Sequence, residues 1–580
     1  MPANRESEPT ERTGKASPAL HDPLPLASGQ VLPNRLMKSA LSEGLGNSAL
    51  APDERLQRLY ARWSTGGYGL IVTGNVMVDG RHLGEPGNVA IEDERHLEAL
   101  TRWAKAGKDG GSKLWMQLNH PGRQANPLVT RNRAVAPSAI GMSIPGVPAP
   151  RALTEDEILD IIGRFGTAAR VAEAAGFDGV QIHGAHGYLV SQFLSPLSNQ
   201  RTDAWGGDAE RRRRFVLEVA RSIRAAVSPG FGVGIKLNSA DFQRGGFTED
   251  ESRAVIEKLS AEQLDLIEIS GGSYESPAML NRPRTVAAST KAREAYFLEY
   301  AESARAAAGA VPIAVTGGFR SRGAMIEAIA EGNCDMVGLG RPAAVIPSAA
   351  ADLLNGAKQL YAPAISLRLP ARLAANNGLK AFDGALDLQW HTDQLHLLGA
   401  GNDPDLDRSP WRTAVTMLRR NGFDALRSKR SASTPTPDRT AAKFRRERAL
   451  GRYVMNPTVR ALSRVGLRTA LATEIETIGR KTGQPRRVPV SILFDDQGAW
   501  AICQHGSRSG WGKNLAANPE IRVRQGNTWR TGTAVFLPED DVVTRAATFA
   551  PHPLLAPIAT RGFAALETNP VTVRITFTDN

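Results

Sequence analysis

A chain of 580 residues is too long for one ordinary domain of roughly 100–200 residues. With 42% hydrophobic and 22% charged residues it has a globular composition, which excludes disorder throughout, and two cysteines exclude a disulfide framework or an all-cysteine metal or iron–sulfur site. The net charge of +12 is confined to one end: residues 1–400 hold 43 basic and 43 acidic side chains, and residues 401–580 hold 28 basic against 16 acidic.

Residues 1–20 are polar, lack the apolar centre of a secretory signal and read as a disordered tail. No apolar run approaches the roughly 18 residues that span a membrane, so a cytoplasmic protein without a membrane partner is expected. Eight short apolar runs follow: LMKSAL (36–41), GLIVTG (69–74), KLWMQL (113–118), DGVQIH (178–183), GVGIKLN (232–238), LIEIS (266–270), PIAVT (312–316) and DMVGLG (335–340). Nearly continuous apolar runs suit strands buried on both faces of a parallel sheet. Helical patterns separate them. The one at 154–176 opens on Thr154 with Glu157 three residues on, a capping-box pattern, and stops at Gly176. The alternation predicts an α/β chain with a (β/α)8 TIM barrel within residues 21–425.

In such a barrel chemistry sits at the C-terminal ends of the strands. Polar and glycine residues gather there: Ser42, Gly74, Asn75, Gln117, His183, Lys236, Asn238, Ser270, Gly271, Gly272, Thr316, Gly317, Gly318, Gly340 and Arg341. Residues 342–425 read as helical and loop-rich, with breaks at 374–378 and 400–407. Residues 426–449 place a Ser/Thr/Pro core between basic runs and read as a solvated linker, although their charges could meet phosphates. From 450 to 580 the pattern turns to β, with strands predicted at 474–479, 487–494, 498–504, 520–524, 528–537 and 571–577. Their hairpin-like spacing predicts a small β-barrel domain.

The strongest local signal is HGAHGYLVSQFLSP (183–196). His183 and His186 are three residues apart and Tyr188 follows by two. Two imidazole N–H groups can hold a carbonyl oxygen and stabilise charge growing on it, and a tyrosine hydroxyl can supply a proton. The same pair could instead be a metal pair or two satisfied core histidines. No third ligand stands at metal spacing near them, so no metal site is expected.

Residues 33–342 resemble the old yellow enzyme family of FMN-dependent oxidoreductases. The resemblance rests on PNRLMKSALS, GGYGLIVTG, QLNHPGRQ, HGAHGYLVSQFLSP, NQRTDAWGG with RRRRF, EISGG, and VTGGF with GLGRP, in that order. It implies that His183 and His186 bind the substrate's activating oxygen and that Tyr188 donates a proton to its α-carbon. It implies that Gln117 bonds the pyrimidine edge of the flavin and that Ser42 tunes it through O4. Gly74 would let the ring pack closely, and Gly317, Gly318, Gly340 and Arg341 would cradle the phosphate. Lys236 stands where the family usually has Arg, keeping the charge and losing the fork. Ala40 and Leu41 replace a usual Pro-Met, and Arg211 replaces a usual Asn. Residues 342–400 hold no cysteine, which excludes the iron–sulfur site of some relatives and leaves reduced nicotinamide, NAD(P)H, as the implied reductant of FMN. No GxGxxG nicotinamide domain is evident, so NAD(P)H would share the small-molecule substrate's cavity in a ping-pong cycle.

In the second domain, TIGRKTGQPRRVP (477–489) sets Arg480, Lys481, Arg486 and Arg487 around a glycine-containing turn, which suits a phosphate or a polyanionic tail. A solvated basic hairpin or a nucleic-acid face are the other readings. Only Trp511 and Trp529 interleave with the charges, which disfavours nucleic acid as a partner. This string, with HGSRSGWGKNLAANPEIRV (505–523), resembles the split β-barrel of the deazaflavin-dependent nitroreductase and quinone reductase family over residues 453–577, including a leading helix at 456–466. That implies that Arg480, Lys481, Thr482 and Arg486 bind the coenzyme's phosphate and acidic tail, with residues 505–508 lining the same site. The expectation for the whole is a fused oxidoreductase moving hydride between NAD(P)H or reduced deazaflavin, FMN and an enone-type alkene. The alternative keeps the flavin barrel, in either direction, and makes the basic domain a binding module for nucleic acid or an anionic surface. Substrate, direction and a homo-oligomeric state are left open.

Overall fold

The computed structural model describes residues 18–126, 129–130, 132–142, 148–241, 243–270, 298, 300–361, 363, 365–366, 377–418, 473–480, 482–503, 509–525, 528–549 and 571–578. The chain divides into two compact units, Met1–Ala432 and Ser433–Asn580. The predicted linker at 426–449, the leading helix at 456–466, Gly271, Gly272, Lys481 and residues 505–508 lie outside the described residues. Of the predicted tail, residues 1–17 also lie outside, but its last residues belong to the fold. Leu20 is buried and its carbonyl accepts from the Arg35 amide at 2.9 Å.

The first unit is a closed parallel barrel of eight strands: β1 Leu36–Lys38, β2 Leu70–Met77, β3 Lys113–Asn119, β4 Gly179–Gly184, β5 Gly232–Asn238, β6 Leu266–Ser270, β7 Ile313–Thr316 and β8 Met336–Leu339. Each strand pairs in parallel with the next, and β8 pairs with β1 to close the ring. All eight predicted runs are these strands. Helices lie between them, among them Glu155–Ala174, whose Thr154 and Glu157 form the expected capping box.

The barrel interior is layered. At the N-terminal end an antiparallel hairpin, Leu24–Pro25 with Val31–Leu32, plugs the opening, and Leu24, Leu26 and Leu32 pack on Met37, Leu70, Val72, Trp115, Leu266, Ala314 and Met336. The Trp115 indole fills this layer because β4 and β5 carry glycine opposite it. A Cβ on Gly179, Gly232 or Gly234 would lie 2.4–2.8 Å from its ring atoms. Apolar packing closes this end and leaves the polar groups to the other.

The second unit is a seven-stranded antiparallel sheet with strands β9 Thr473–Ile478, β10 Pro485–Val490, β11 Ile492–Asp495, β12 Gly498–Cys503, β13 Glu520–Gln525, β14 Thr528–Leu537 and β15 Val571–Phe577, in the order β10-β9-β13-β14-β15-β12-β11. The single strand predicted at 487–494 is two strands parted at Ser491. These are the two edges of the sheet, so one residue joins opposite edges. The sheet therefore has to curl until its edges meet, which makes it a small barrel about a core of Ile475, Ala501, Ile521, Val523, Val573 and Ile575.

Candidate functional site

The register of the parallel barrel brings the sequence-predicted residues of the first unit to one rim. His183 on β4 stands opposite Lys236 on β5, which stands opposite Glu268 on β6. Lys236, 3% exposed, pairs with Glu268, fully buried, at 3.0 Å. The Glu268 carboxylate also accepts from Thr316 Oγ1 at 2.6 Å and from Gln181 Nε2 at 2.7 Å, and Gln181 Oε1 accepts from Gln117 Nε2 at 2.8 Å. A continuous polar layer thus crosses the barrel above its apolar floor, with the buried cation neutralised by the buried carboxylate.

The histidine pair sits above this layer. His183 Nε2 faces His186 Nδ1 at 3.1 Å, the rings meet edge to face at 5.2 Å, and the Tyr188 ring lies 4.6 Å from that of His183. His186 has φ of 61°, a left-handed conformation rare outside glycine. It is held there by its amide on Asn238 Oδ1 at 3.3 Å, by Gln124 Nε2 donating to its carbonyl at 2.9 Å, and by Ser270 Oγ at 2.9 Å from its Nε2. Burial, then the nearby Lys236 charge, holds His186 down at about 3. Burial, then His186 and Lys236, holds His183 well below its ordinary value. Both imidazoles are therefore neutral near pH 7. A Ser270 hydroxyl donating to His186 Nε2 leaves the ring proton on Nδ1, the nitrogen facing His183. Ser270, Asn238, Gln124, Gln181 and Glu268 received no role from the sequence. Ser270 and Asn238 stood at strand ends, and the acidic Glu268 inside the apolar run LIEIS was a signal that could have been used.

The remaining predicted residues ring the same face. Ser42 Oγ donates to Asn75 Oδ1 at 2.8 Å and also meets Glu85. Gly74 lies at a register shift between β2 and β3. Its amide donates to Glu43 Oε1 at 2.9 Å, and a Cβ there would fall 1.9 Å from Glu43 Oε2. Gly317 and Gly318, just past β7, take φ of 122° and 89°, which only glycine adopts easily. Gly340 precedes the helix Arg341–Val345, and Arg341 donates from Nη1 to Asp387 at 2.8 Å. Among the described buried atoms at this rim, His183 Nδ1 and Asn238 Nδ2 have no protein partner. Buried polar atoms are rarely left so, and these suit a polar ligand entering here. A cation, amide donors and glycine turns on one rim fit an anionic flavin mononucleotide.

Asp79, His82 and His120 form a second buried cluster, brought together where β2 and β3 end, with donor atoms within 4.8 Å of one another. The Arg81 fork already takes the Asp79 carboxylate, and His120 Nδ1 accepts from the Gly122 amide at 3.1 Å, which puts the His120 proton on Nε2. It is a hydrogen-bonded cluster with no lone pair of His120 left for a metal.

In the second unit the basic residues separate. Arg487 Nε pairs with Glu476 at 2.7 Å, Arg522 pairs with the same carboxylate at 3.0 Å, and both guanidinium groups lie over Trp529. Arg486, next on β10 and so on the other face, and Arg480 have no ion-pair partner among the described residues. They flank a turn in which the Gly483 amide donates to the Gly479 carbonyl at 2.7 Å and Thr482 is exposed. Asn514, on the helix Gly510–Ala517, ties this turn down: its Oδ1 accepts from the Arg480 amide at 3.3 Å, and its Nδ2 donates to Thr477 Oγ1 at 3.2 Å.

Comparison with known proteins agrees with this division. The profile described as NADH:flavin oxidoreductase / NADH oxidase family matches residues 19–358, and the profile of F(420)H(2)-dependent quinone reductase matches residues 453–553. The NADH-dependent flavin oxidoreductase iliE of Hypocrea jecorina is 39% identical over 346 residues, which are 56% of this chain and 86% of that one. The NADH-dependent flavin oxidoreductase iccE of Talaromyces variabilis is 36% identical over 409 residues, 64% of this chain and 96% of its own. Among solved structures, morphinone reductase in complex with tetrahydroNAD is similar with a TM-score of 0.50 at 27% identity, covering 60% of this chain and 93% of that one. No helix among the described residues is long and apolar enough to cross a membrane.

Proposed function

The chain belongs to the NADH:flavin oxidoreductase / NADH oxidase family, and from that premise we propose that its barrel reduces an alkene activated by a neighbouring carbonyl, using NAD(P)H through bound FMN. The observation that carries this reading is the neutral pair His183 and His186 facing each other beside Tyr188. FMN, when bound, would supply the hydride exchanged with nicotinamide and substrate. Gln117, Lys236, Ser42 and Gly74 would hold its ring, and Gly317, Gly318, Gly340 and Arg341 its phosphate.

A carbonyl oxygen entering the site opens the His183–His186 contact and accepts from His183 Nε2–H and His186 Nδ1–H together. Ser270, bonded to His186 Nε2, keeps the second proton in place. As charge grows on the oxygen, two neutral donors in a buried site stabilise it without first losing a proton. Tyr188 supplies the proton at the α-carbon. Loss of Tyr188 therefore slows the substrate step and spares reduction by nicotinamide.

The second unit carries the quinone reductase match, and we propose that it binds a deazaflavin coenzyme at Arg480, Thr482 and Arg486 and feeds hydride to the same pathway. Lys481 would add a fourth group. The test is anaerobic: bound FMN is followed by its absorbance as NADH, NADPH or reduced deazaflavin is added, and then cyclohex-2-enone. The reading expects bleaching by nicotinamide and return of colour with the enone. Bleaching that the enone cannot reverse refutes the alkene substrate, and bleaching by NAD(P)H alone refutes the deazaflavin feed. The Trp529 face, covered by Arg487 and Arg522, offers no free platform for stacked bases, which supports the coenzyme over nucleic acid.

A further inference from the structure

The helix Asn377–Gly399 lies beyond residue 358, where the family match ends, yet it touches the cofactor rim at two points. Asp387 accepts from Arg341 Nη1 at 2.8 Å, at the end of β8. Nine residues on, His396 Nε2 meets the Glu43 carbonyl at 2.8 Å, beside Ser42 at the end of β1. The helix is anchored between them. Leu386, Trp390, Leu395 and Leu398 are buried, and it packs on both Glu54–Ser64 and Arg341–Val345.

The Arg341–Asp387 pair explains little as a stabilising contact. The Arg341 side chain is 39% exposed, and ion pairs at such positions contribute about 0–1 kcal/mol. Its geometry is more informative. One carboxylate oxygen engages one terminal nitrogen, so the Nε and Nη2 edge of the guanidinium keeps three N–H donors. A fork fixed at one corner by a residue on a rigid helix loses little further freedom when its other edge meets an anion. The Asp387 backbone is itself held, with its carbonyl against His391 Nδ1 at 2.8 Å.

We infer that Asp387 is a positioning residue for the FMN phosphate: it orients Arg341 so that the free edge of the guanidinium receives the phosphate, which makes this helix part of the cofactor site. The inference rests on the proposed FMN reading, and specifically on Arg341 as a phosphate ligand.

The experiment titrates the full-length apoprotein with FMN and with riboflavin, which differ only in the phosphate, following flavin fluorescence. Wild type, Arg341→Met, Asp387→Asn and Asp387→Glu are compared. Wild type is expected to prefer FMN, and Arg341→Met to lose that preference. Asp387→Asn is expected to weaken FMN about tenfold with riboflavin affinity and the unfolding midpoint unchanged, and Asp387→Glu to recover most of the loss. A wild type that binds both flavins alike overturns the Arg341 reading and this inference with it. If Arg341→Met abolishes the preference while Asp387→Asn leaves it intact, the inference alone is overturned. Tighter FMN binding in Asp387→Asn also overturns it, because Asp387 would then compete with the phosphate.

Discussion

Replacing Glu268 by Gln removes the acidic group paired with the buried Lys236 and changes almost no volume. At the 3.0 Å separation of the pair and an effective dielectric of about 20, the attraction lost is about 5.5 kcal/mol. The side chain also accepts from Thr316 and Gln181, and an amide can satisfy only one of these as an acceptor. Breaking one side of a buried pair costs about 3–5 kcal/mol, because the remaining charge stays out of water without a partner. The expected result is a loss of that size in the unfolding free energy of the barrel transition, measured by denaturant titration with near-ultraviolet circular dichroism. The double variant Glu268→Gln with Lys236→Met should recover most of it, since two neutral groups replace two charges. A single variant that loses less than about 1 kcal/mol, or a double variant no better than the single, would show that Glu268 does not neutralise Lys236.

Other outcomes follow from the same geometry. Tyr188→Phe should lower enone turnover by about 10²–10⁴-fold and leave the rate of FMN reduction by NADH within a few-fold of wild type in stopped flow; equal losses in both half-reactions would remove its role as proton donor. His186 is held at about 3 against an ordinary 6.5, so the unfolded chain binds the proton that the native chain refuses. Its contribution to stability is present above about pH 6.5 and is lost toward pH 3, at about 1.4 kcal/mol per pH unit, and His186→Asn should flatten that slope in denaturant midpoints taken across the window. Gly74→Ala places a Cβ 1.9 Å from Glu43 Oε2 and 2.4 Å from the Leu41 carbonyl. It should cost at least about 1–3 kcal/mol and lower the FMN content of the purified protein, and a variant that keeps both stability and flavin would contradict the close packing at this bulge.

The barrel was legible because its strands are buried on both faces, which leaves near-continuous apolar runs and no ambiguity of period. The capping box at Thr154 and Glu157 is local chemistry and was legible for the same reason that it works. The buried network was not. Gln181, Glu268 and Thr316 lie on three strands, and only the register of a closed parallel sheet brings them to one layer. Lys236 was picked out as a flavin ligand by resemblance, but nothing in its neighbourhood along the chain announces Glu268 thirty-two positions on. Ser491 was hidden in a different way. Residues 487–494 have the pattern of one strand, and the break reflects closure of the sheet rather than any turn residue. Arg341 and Asp387 are separated by a stretch whose composition says only that it is helical.

The charge imbalance changes meaning once the second unit is folded. Much of its basic excess is held internally. Arg545 and Arg574 lie over the Trp500 ring at 3.8 and 4.6 Å and pair with Asp540 and Asp495, while Arg487 and Arg522 share Glu476 over Trp529. Guanidinium groups stacked on rings and bonded to carboxylates are poor competitors for a diffusing polyanion, whatever they add to net charge. A uniformly basic surface would bind anions everywhere with steep salt dependence. Here, among the described residues, the turn between β9 and β10 differs from its surroundings: Arg480 and Arg486 have no counter-charge, and the turn's backbone is fixed through Asn514. Selectivity for one anionic coenzyme over generic polyanions would then come from the pairing of the other arginines as much as from the freedom of these two.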